Sequence, residues 1–290
     1  MIKLVLGTAS LKEGYGVASS KKSRSLKEIE IFIKTAQQLG INDFDTAPSY
    51  GSAEVFLGSF LDKSTKPKIS SKLTLTNIKN VEFIRKSVEQ SLENLQVSTL
   101  ETLYLHDESA LLRADGQELF SALRRLQSDG LINKLGVSTY SLEVLLDNFT
   151  QFPNLDAFQV PENICDRRLL HSSQLSEIYL KNKTLTIRSI FLQGLLLMDP
   201  TNIPIQLIDC KGELESLHSF AKSNKLKTLD VCLAYARAIT WCDGVLIGAQ
   251  DVAQLTEITN SNHTLPDGWE NSVLRIVDGL VDPRNWKNER

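Results

Sequence analysis

Apolar positions along this chain alternate between two patterns. Short stretches bounded by apolar residues, such as Ile41 to Phe44 and Leu100 to Leu105, read as buried strands. Between them, apolar residues recur at spacings of three and four, as in Ile29, Phe32, Ile33, Ala36 and Leu39, and in Val81, Ile84, Val88, Leu92 and Leu95. That spacing places them on one face of a helix. Strands are predicted at Leu4–Leu6, Ile41–Phe44, Pro67–Lys72, Thr99–His106, Ile132–Ser138, Leu155–Val160, Thr184–Ser189 and Gly244–Ile247. The helices between and after them are Ser25–Leu39, Ala53–Leu61, Val81–Leu95, Gln117–Ser128, Leu142–Asn148, Gln174–Leu180, Glu213–Ser223, Thr228–Thr240 and Val252–Thr259. Ser25 with Glu28 fits a capping box, and Gly40 stands where a helix C-terminus favours glycine. In the short second helix, Val55, Phe56 and Phe60 are the residues available for the core.

Parallel strands need crossover connections, and these alternate with helices without a break in composition. The pattern predicts an α/β fold, a single (β/α)8 TIM barrel spanning residues 1–290 as one domain. An extra helix before the eighth strand and a tail from Asn262 to Arg290 lie outside the repeat. The tail carries Trp269 and Trp286 and is expected to pack on the barrel.

Composition narrows the function. With 290 residues, of which 42% are apolar, the chain is long enough for one large core. A net charge of −3 gives no reason to expect nucleic acid or an anionic membrane as partner. No apolar run approaches the ~20 residues of a membrane span, and the Met1–Leu6 start is too short for a signal peptide. Cys165, Cys210, Cys232 and Cys242 form no CxxC pair. They read as buried thiols of a cytoplasmic protein, with no metal site or disulfide framework.

The candidate chemistry sits where strands end. Asp45 leaves the second strand, Lys72 the third and His106 the fourth, and Tyr50 lies in the loop after Asp45. In such a barrel the reactive groups gather at these ends. Taken singly, each has a structural reading: Asp45 a loop cap, Lys72 a solvated charge, His106 a core histidine, Tyr50 packing. Together they supply what a carbonyl reduction needs. A phenol with a pKa of ~10 donates the proton, an ammonium favours its phenolate, a carboxylate holds the ammonium, and an imidazole orients the carbonyl oxygen. No side chain supplies a hydride, so a nicotinamide cofactor is implied.

Asp45-Thr46-Ala47-Pro48-Ser49-Tyr50-Gly51, with Ile69-Ser70-Ser71-Lys72 and Leu103-Tyr104-Leu105-His106, resembles the aldo-keto reductase family over nearly the whole chain. The resemblance implies a barrel that binds its nicotinamide without a Rossmann domain, with Asp45, Tyr50, Lys72 and His106 as catalytic tetrad. It implies that Ser138, Thr139 and Gln159 hold the nicotinamide carboxamide, with Gly7 and Thr8 beside the ring. Arg188 replaces a tyrosine that stacks on the nicotinamide in many members, and Ser189 to Leu195, including Gly194, resembles the pyrophosphate loop. The adenosine segment departs from the family pattern. Gly248, Ala249 and Gln254 stand where many members carry Lys, Ser and Arg, of which the Lys and Arg hold a 2′-phosphate, while Glu257 keeps its place near the adenine. Only Gln250, Gln254 and the amides at the helix start remain there as donors, unless a cation such as Arg237 folds over. NADP(H) is the expected cofactor, bound with a weaker preference than in members that carry the cations, and NAD(H) is usable.

Two other readings stay open at this level: a cofactor-binding sensor subunit with weak catalysis, and a lyase or isomerase using Lys72 as a Schiff-base nucleophile. The substrate is expected to be a small carbonyl compound, polar or sugar-derived. The pocket is assigned to Tyr15 and its loop, Pro48, Ser49, the charged loop Glu162–Leu170 and the tail. A monomer or weak homo-oligomer is expected.

Overall fold

The computed structural model describes residues 2–12, 16, 24–74, 81–170, 172–277 and 279–286. Eight parallel strands close into a barrel in sequence order, β1 (Lys3–Gly7), β2 (Asp43–Asp45), β3 (Lys68–Leu73), β4 (Leu100–Leu105), β5 (Ile132–Ser138), β6 (Ala157–Pro161), β7 (Thr184–Arg188) and β8 (Gly244–Ile247). Strand β8 pairs back on β1, with Leu6 opposite Ile247. Helices α1 (Leu26–Gln38), α2 (Ala53–Phe60), α3 (Val81–Leu95), α4 (Gly116–Ser128), α5 (Leu142–Gln151) and α6 (Ser173–Leu180) each follow the strand of the same number. Two helices, α7 (Lys211–Ser223) and α8 (Thr228–Ala238), separate β7 from β8, and α9 (Val252–Asn260) follows β8. This is the expected (β/α)8 barrel with its extra helix.

Local signals explain the helix ends. The Ser25 side chain accepts from the Glu28 amide while Glu28 accepts from the Ser25 amide, a complete capping box. Gly40 ends α1 with φ at +85°, a left-handed turn that costs glycine nothing. Along α1, Ile29, Phe32, Ile33 and Ala36 are buried as the spacing predicts.

Two details differ from expectation. Strand β2 begins at Asp43, because the Ile41 amide is used to close α1 on Ala36 and the Asn42 side chain bonds the turn at Thr65. Helix α2 faces the core with Ala53, Glu54, Leu57 and Gly58, and Val55 is exposed. A Cβ at Gly58 would lie 2.1 Å from the Asn94 carbonyl oxygen, so α2 and α3 touch backbone to backbone there. That close approach sets the rotation of α2 and turns Val55 outward.

The tail packs on the barrel. Its short helix α10 (Trp269–Ser272) sets Trp269 edge-on to Tyr235 of α8, and the Ile276 amide bonds the Cys165 carbonyl. Trp286 donates to the Leu280 carbonyl at 2.9 Å. All four cysteines are buried and free. Among the described residues, no helix is long and apolar enough to cross a membrane, and no His/Cys/Asp/Glu group could hold a metal.

Candidate active site

Strand register builds the site. Gly7 pairs with Asp45 and Ser138 with Gln159, so the strand ends form one ring at the C-terminal mouth. The mouth opens into a cavity of about 610 Å³ lined by Asp45, Tyr50, Lys72 and His106. The structure therefore brings together the four residues read from the sequence.

Lys72 and Asp45 form a buried ion pair, and Lys72 Nζ also donates to the Thr46 carbonyl at 3.2 Å. The same nitrogen lies 5.1 Å from the centroid of the Tyr50 ring. Burial pulls the Lys72 ammonium down, but Asp45 and the Tyr50 phenol outweigh it, and the net shift is upward. A Schiff-base lysine needs the opposite shift, because only the free amine attacks a carbonyl. The nucleophilic reading of Lys72 is therefore disfavoured. His106 faces the open cavity. Partial burial, Lys72 and Arg188 together push its pKa below the ordinary histidine value, so the imidazole is neutral at neutral pH.

Polar links support this cluster from below. Gln159 donates to Asp45 Oδ2 at 2.9 Å, and Ser138 Oγ donates to Gln159 Oε1 at 3.2 Å. Tyr104 fills the barrel under the site; burial first, and the Asp45 charge after it, push its phenol well above the ordinary range. Buried Glu54 accepts from Ser71 of β3 at 2.7 Å, which ties that strand to α2.

The expected cofactor residues divide into two groups. Gly7, Ser138, Gln159, Arg188 and Ser189 line the cavity. So do Gly194, Gly248, Gln250 and Gln254. Thr8, Thr139, Ala249 and Glu257 do not. Thr8 bonds the Asp45 carbonyl through both its amide and its hydroxyl. The Thr139 hydroxyl donates to Glu108 Oε2 at 2.6 Å, away from the cavity. The Ala249 side chain is buried, and its carbonyl accepts from Ser10 Oγ at 2.9 Å. Glu257 pairs with Lys227 on the outer side of α9. The start of α9 is also occupied: Asp251 caps the Gln254 amide at 2.8 Å, and Gln254 Oε1 accepts from the Gln250 amide at 2.6 Å. Arg237 does not line the cavity, and its facing charge is Asp230.

Several lining residues were not foreseen. Tyr140 lies between two guanidinium groups, with the Arg188 carbon 3.8 Å and the Arg284 carbon 3.9 Å from its ring centroid. Arg284 comes from the tail and bonds Glu108 Oε1 at 2.9 Å. Glu108 also accepts from the Tyr140 amide at 2.7 Å, so one carboxylate joins three loops. Burial alone would raise its pKa, but these donors hold it below the usual range. No local pattern marks Glu108 or Arg284, which lie 176 residues apart.

The loop Glu162–Leu170 does not line the cavity. Glu162 and Asp166 are buried, Arg168 pairs with Asp166, and Arg167 bonds tail carbonyls at Glu270 and Val273. Of this loop's charges, Arg167 holds the tail while Glu162, Asp166 and Arg168 bond within the barrel and the loop, and the cationic wall of the cavity comes from Arg188 and Arg284. Pro48 and Ser49 are also outside the lining. Tyr15 lies outside the described residues.

After β7 the backbone is left-handed at Ser189, Leu192, Gln193 and Gly194, with φ of 61°, 46°, 53° and 92°. Non-glycine residues adopt such angles at a cost and gather in functional loops.

A closed barrel with an Asp–Lys–Tyr–His mouth defines a class of oxidoreductase, and sequence comparison places the chain in it. The chain belongs to the aldo/keto reductase family, which it matches over residues 3–270. It is 28% identical to D-arabinose 1-dehydrogenase of Saccharomyces cerevisiae, aligned over 99% of this chain and 92% of that protein. It is 27% identical to L-galactose dehydrogenase of Arabidopsis thaliana, over 87% and 83%. The barrel superposes on an aldo-keto reductase from Bacillus halodurans with a TM-score of 0.76 at 18% identity, covering 97% and 95% of the two chains. It superposes on a glycerol dehydrogenase from Gluconobacter oxydans with a TM-score of 0.70 at 23% identity, covering 92% and 89%. The protein is an enzyme that interconverts carbonyl and alcohol groups with a nicotinamide cofactor.

Proposed function

We propose that this enzyme oxidises and reduces the C1 position of an aldose-like substrate, with Tyr50 as the proton-transfer group. The observation that carries the mechanism is the Tyr50 ring 5.1 Å from Lys72 Nζ, with Lys72 itself paired to Asp45. In the reducing direction the Tyr50 phenol gives its proton to the carbonyl oxygen. The Lys72 ammonium favours the phenolate left behind, and Asp45 keeps that ammonium in place and charged. His106, neutral and facing the cavity, donates to the same oxygen and fixes the carbonyl beside Tyr50. In the oxidising direction Tyr50 takes the hydroxyl proton back.

The cofactor, when bound, supplies or accepts the hydride at the carbonyl carbon. The lining fits such a group. Gln159 must turn its nitrogen to Asp45, since a carboxylate only accepts. One Gln159 N–H and the Ser138 oxygen lone pairs are then left for a carboxamide. Gly248 opens the far end: a Cβ built there meets nothing within 4 Å.

The substrate assignment draws on the two sugar dehydrogenases among the relatives and on the polar wall of His106, Tyr140, Arg188 and Arg284. A location in the reducing cytoplasm suits four free buried thiols. The test is nicotinamide absorbance with a panel of aldoses, their lactones and simple aldehydes. Turnover confined to apolar aldehydes would refute the sugar assignment. Tight cofactor binding with no turnover on any of them would favour the sensor reading.

A further inference from the structure

Arg188 ends β7 at the mouth of the barrel, lines the cavity and is only 8% exposed. Its Nη1 donates to Ser189 Oγ at 3.2 Å and its Nη2 to the Thr139 carbonyl at 3.2 Å. Tyr140 covers one face of the guanidinium. All three partners are neutral. Among the described residues, no carboxylate forms an ion pair with it. Arginine is seldom buried in this way without a counter-charge, because its charge gives up hydration and receives nothing equal in return.

The other charges of the cavity wall are matched. Lys72 pairs with Asp45, and Arg284 pairs with Glu108 and Asp282. One positive charge is left facing the cavity, and it belongs to Arg188. After burial and Lys72, Arg188 is the next influence that lowers the His106 pKa, so its charge is felt where the carbonyl oxygen is held. A guanidinium has donors to spare after two bonds, and a carboxylate takes two parallel bonds from such a group. A carboxylate also matches the single charge, whereas a phosphate monoester brings about two.

We infer that Arg188 receives a carboxylate of the substrate, and that this enzyme acts on aldoses oxidised to an acid at the end away from C1, the uronates. Arg188 is then the residue that sets specificity for charge. The inference rests on the aldose reading above and narrows it. The carboxylate takes no part in the reaction: hydride still moves at C1 and the proton still moves through Tyr50.

The test compares charged and neutral substrates of equal size. Steady-state rates are measured on D-glucuronate and D-galacturonate, on their amides, and on the parent aldoses and their 6-phosphates, for the wild type, Arg188→Lys and Arg188→Gln. The ratio of kcat/KM for acid over amide cancels any effect on the cofactor or on the chemical step, because both substrates share them. Wild type is expected to favour the acid by roughly ten- to a hundredfold, the worth of a charge-assisted hydrogen bond, chiefly through KM. Arg188→Gln is expected to erase that preference and Arg188→Lys to retain part of it. If Arg188→Gln fails to fold, the wild-type ratio and Arg188→Lys still decide. A wild type indifferent to the charge, or one that favours a 6-phosphate over the uronate, would overturn the inference and leave the aldose reading standing. So would an acid-to-amide ratio unmoved in the variants while NADPH and NADH binding weakens, since the guanidinium would then serve the cofactor. Turnover of none of these sugars would overturn the aldose reading itself, and this inference with it.

Discussion

Gln159 and Asp45 are joined by a 2.9 Å hydrogen bond that spans 114 residues of sequence, from β6 to β2 across the barrel. The second Asp45 oxygen accepts from Lys72. Both carboxylate oxygens are therefore occupied, one by a charge and one by a fixed amide. A buried ammonium is tolerated beside the Tyr50 ring because this carboxylate is held from two sides.

Asp45→Asn should therefore damage stability as well as catalysis. The substitution leaves Lys72 buried without a counter-charge, a loss of about 3–5 kcal/mol. Urea denaturation checks it. A change under about 1 kcal/mol would mean that Lys72 escapes to solvent or gives up its proton without strain.

Tyr50→Phe should keep cofactor binding and lose turnover by about 10²- to 10⁴-fold. The ring contact with Lys72 survives and only the proton donor goes. Fluorescence titration and steady-state rates separate the two effects. Near-wild-type turnover would remove Tyr50 from the mechanism.

His106→Ala should lower turnover and raise the KM with stability unchanged within about 0.5 kcal/mol, because the side chain faces the cavity and not the core. The depressed pKa has its own signature. The imidazole stays neutral as pH falls below the ordinary histidine value, so wild-type turnover should not fall in step with an exposed histidine's titration. Unfolding of the variant, with normal turnover in what remains folded, would make His106 structural.

How much was legible follows from the range of each signal. The barrel could be read because buried strands are continuous apolar runs and helices repeat at three and four. Asp45, Lys72 and His106 could be read because each stands at the end of its own strand, so local position implied convergence. Val55 misled because α2 has only eight residues and its rotation is set by Gly58 against α3. Thr139 misled because its motif position implied a direction for the side chain, whereas Glu108 from the preceding loop draws it away. Arg284 was silent in the sequence because it meets Glu108 across the fold.

The last prediction concerns Glu162, a carboxyl with no part in the proposed chemistry. It is fully buried, accepts from the Tyr235 hydroxyl and from the Leu169 amide, and donates its own amide to the Arg188 carbonyl at 3.1 Å. Burial pushes its pKa up to about 8, and the Asp166 charge adds to the rise, against the pull of the Tyr235 bond. The folded protein thus keeps a proton on Glu162 at neutral pH, where the unfolded chain has released it. Between the ordinary glutamate value and about 8 the native state binds one more proton than the unfolded state, so stability from this group falls as pH rises. The slope is about 1.4 kcal/mol per pH unit at its steepest. Glu162→Gln has no such proton. Its carbonyl oxygen can accept from the Leu169 N–H while its NH2 donates to the Tyr235 hydroxyl oxygen, so any cost of the substitution does not vary with pH over this range. Relative to wild type, the variant should therefore gain stability steadily from about pH 5.5 to about pH 7.5. Denaturation curves of the two proteins across that range give the answer directly. A constant difference would mean that Glu162 is already ionised in the native state and that Tyr235 and Leu169 hold a carboxylate.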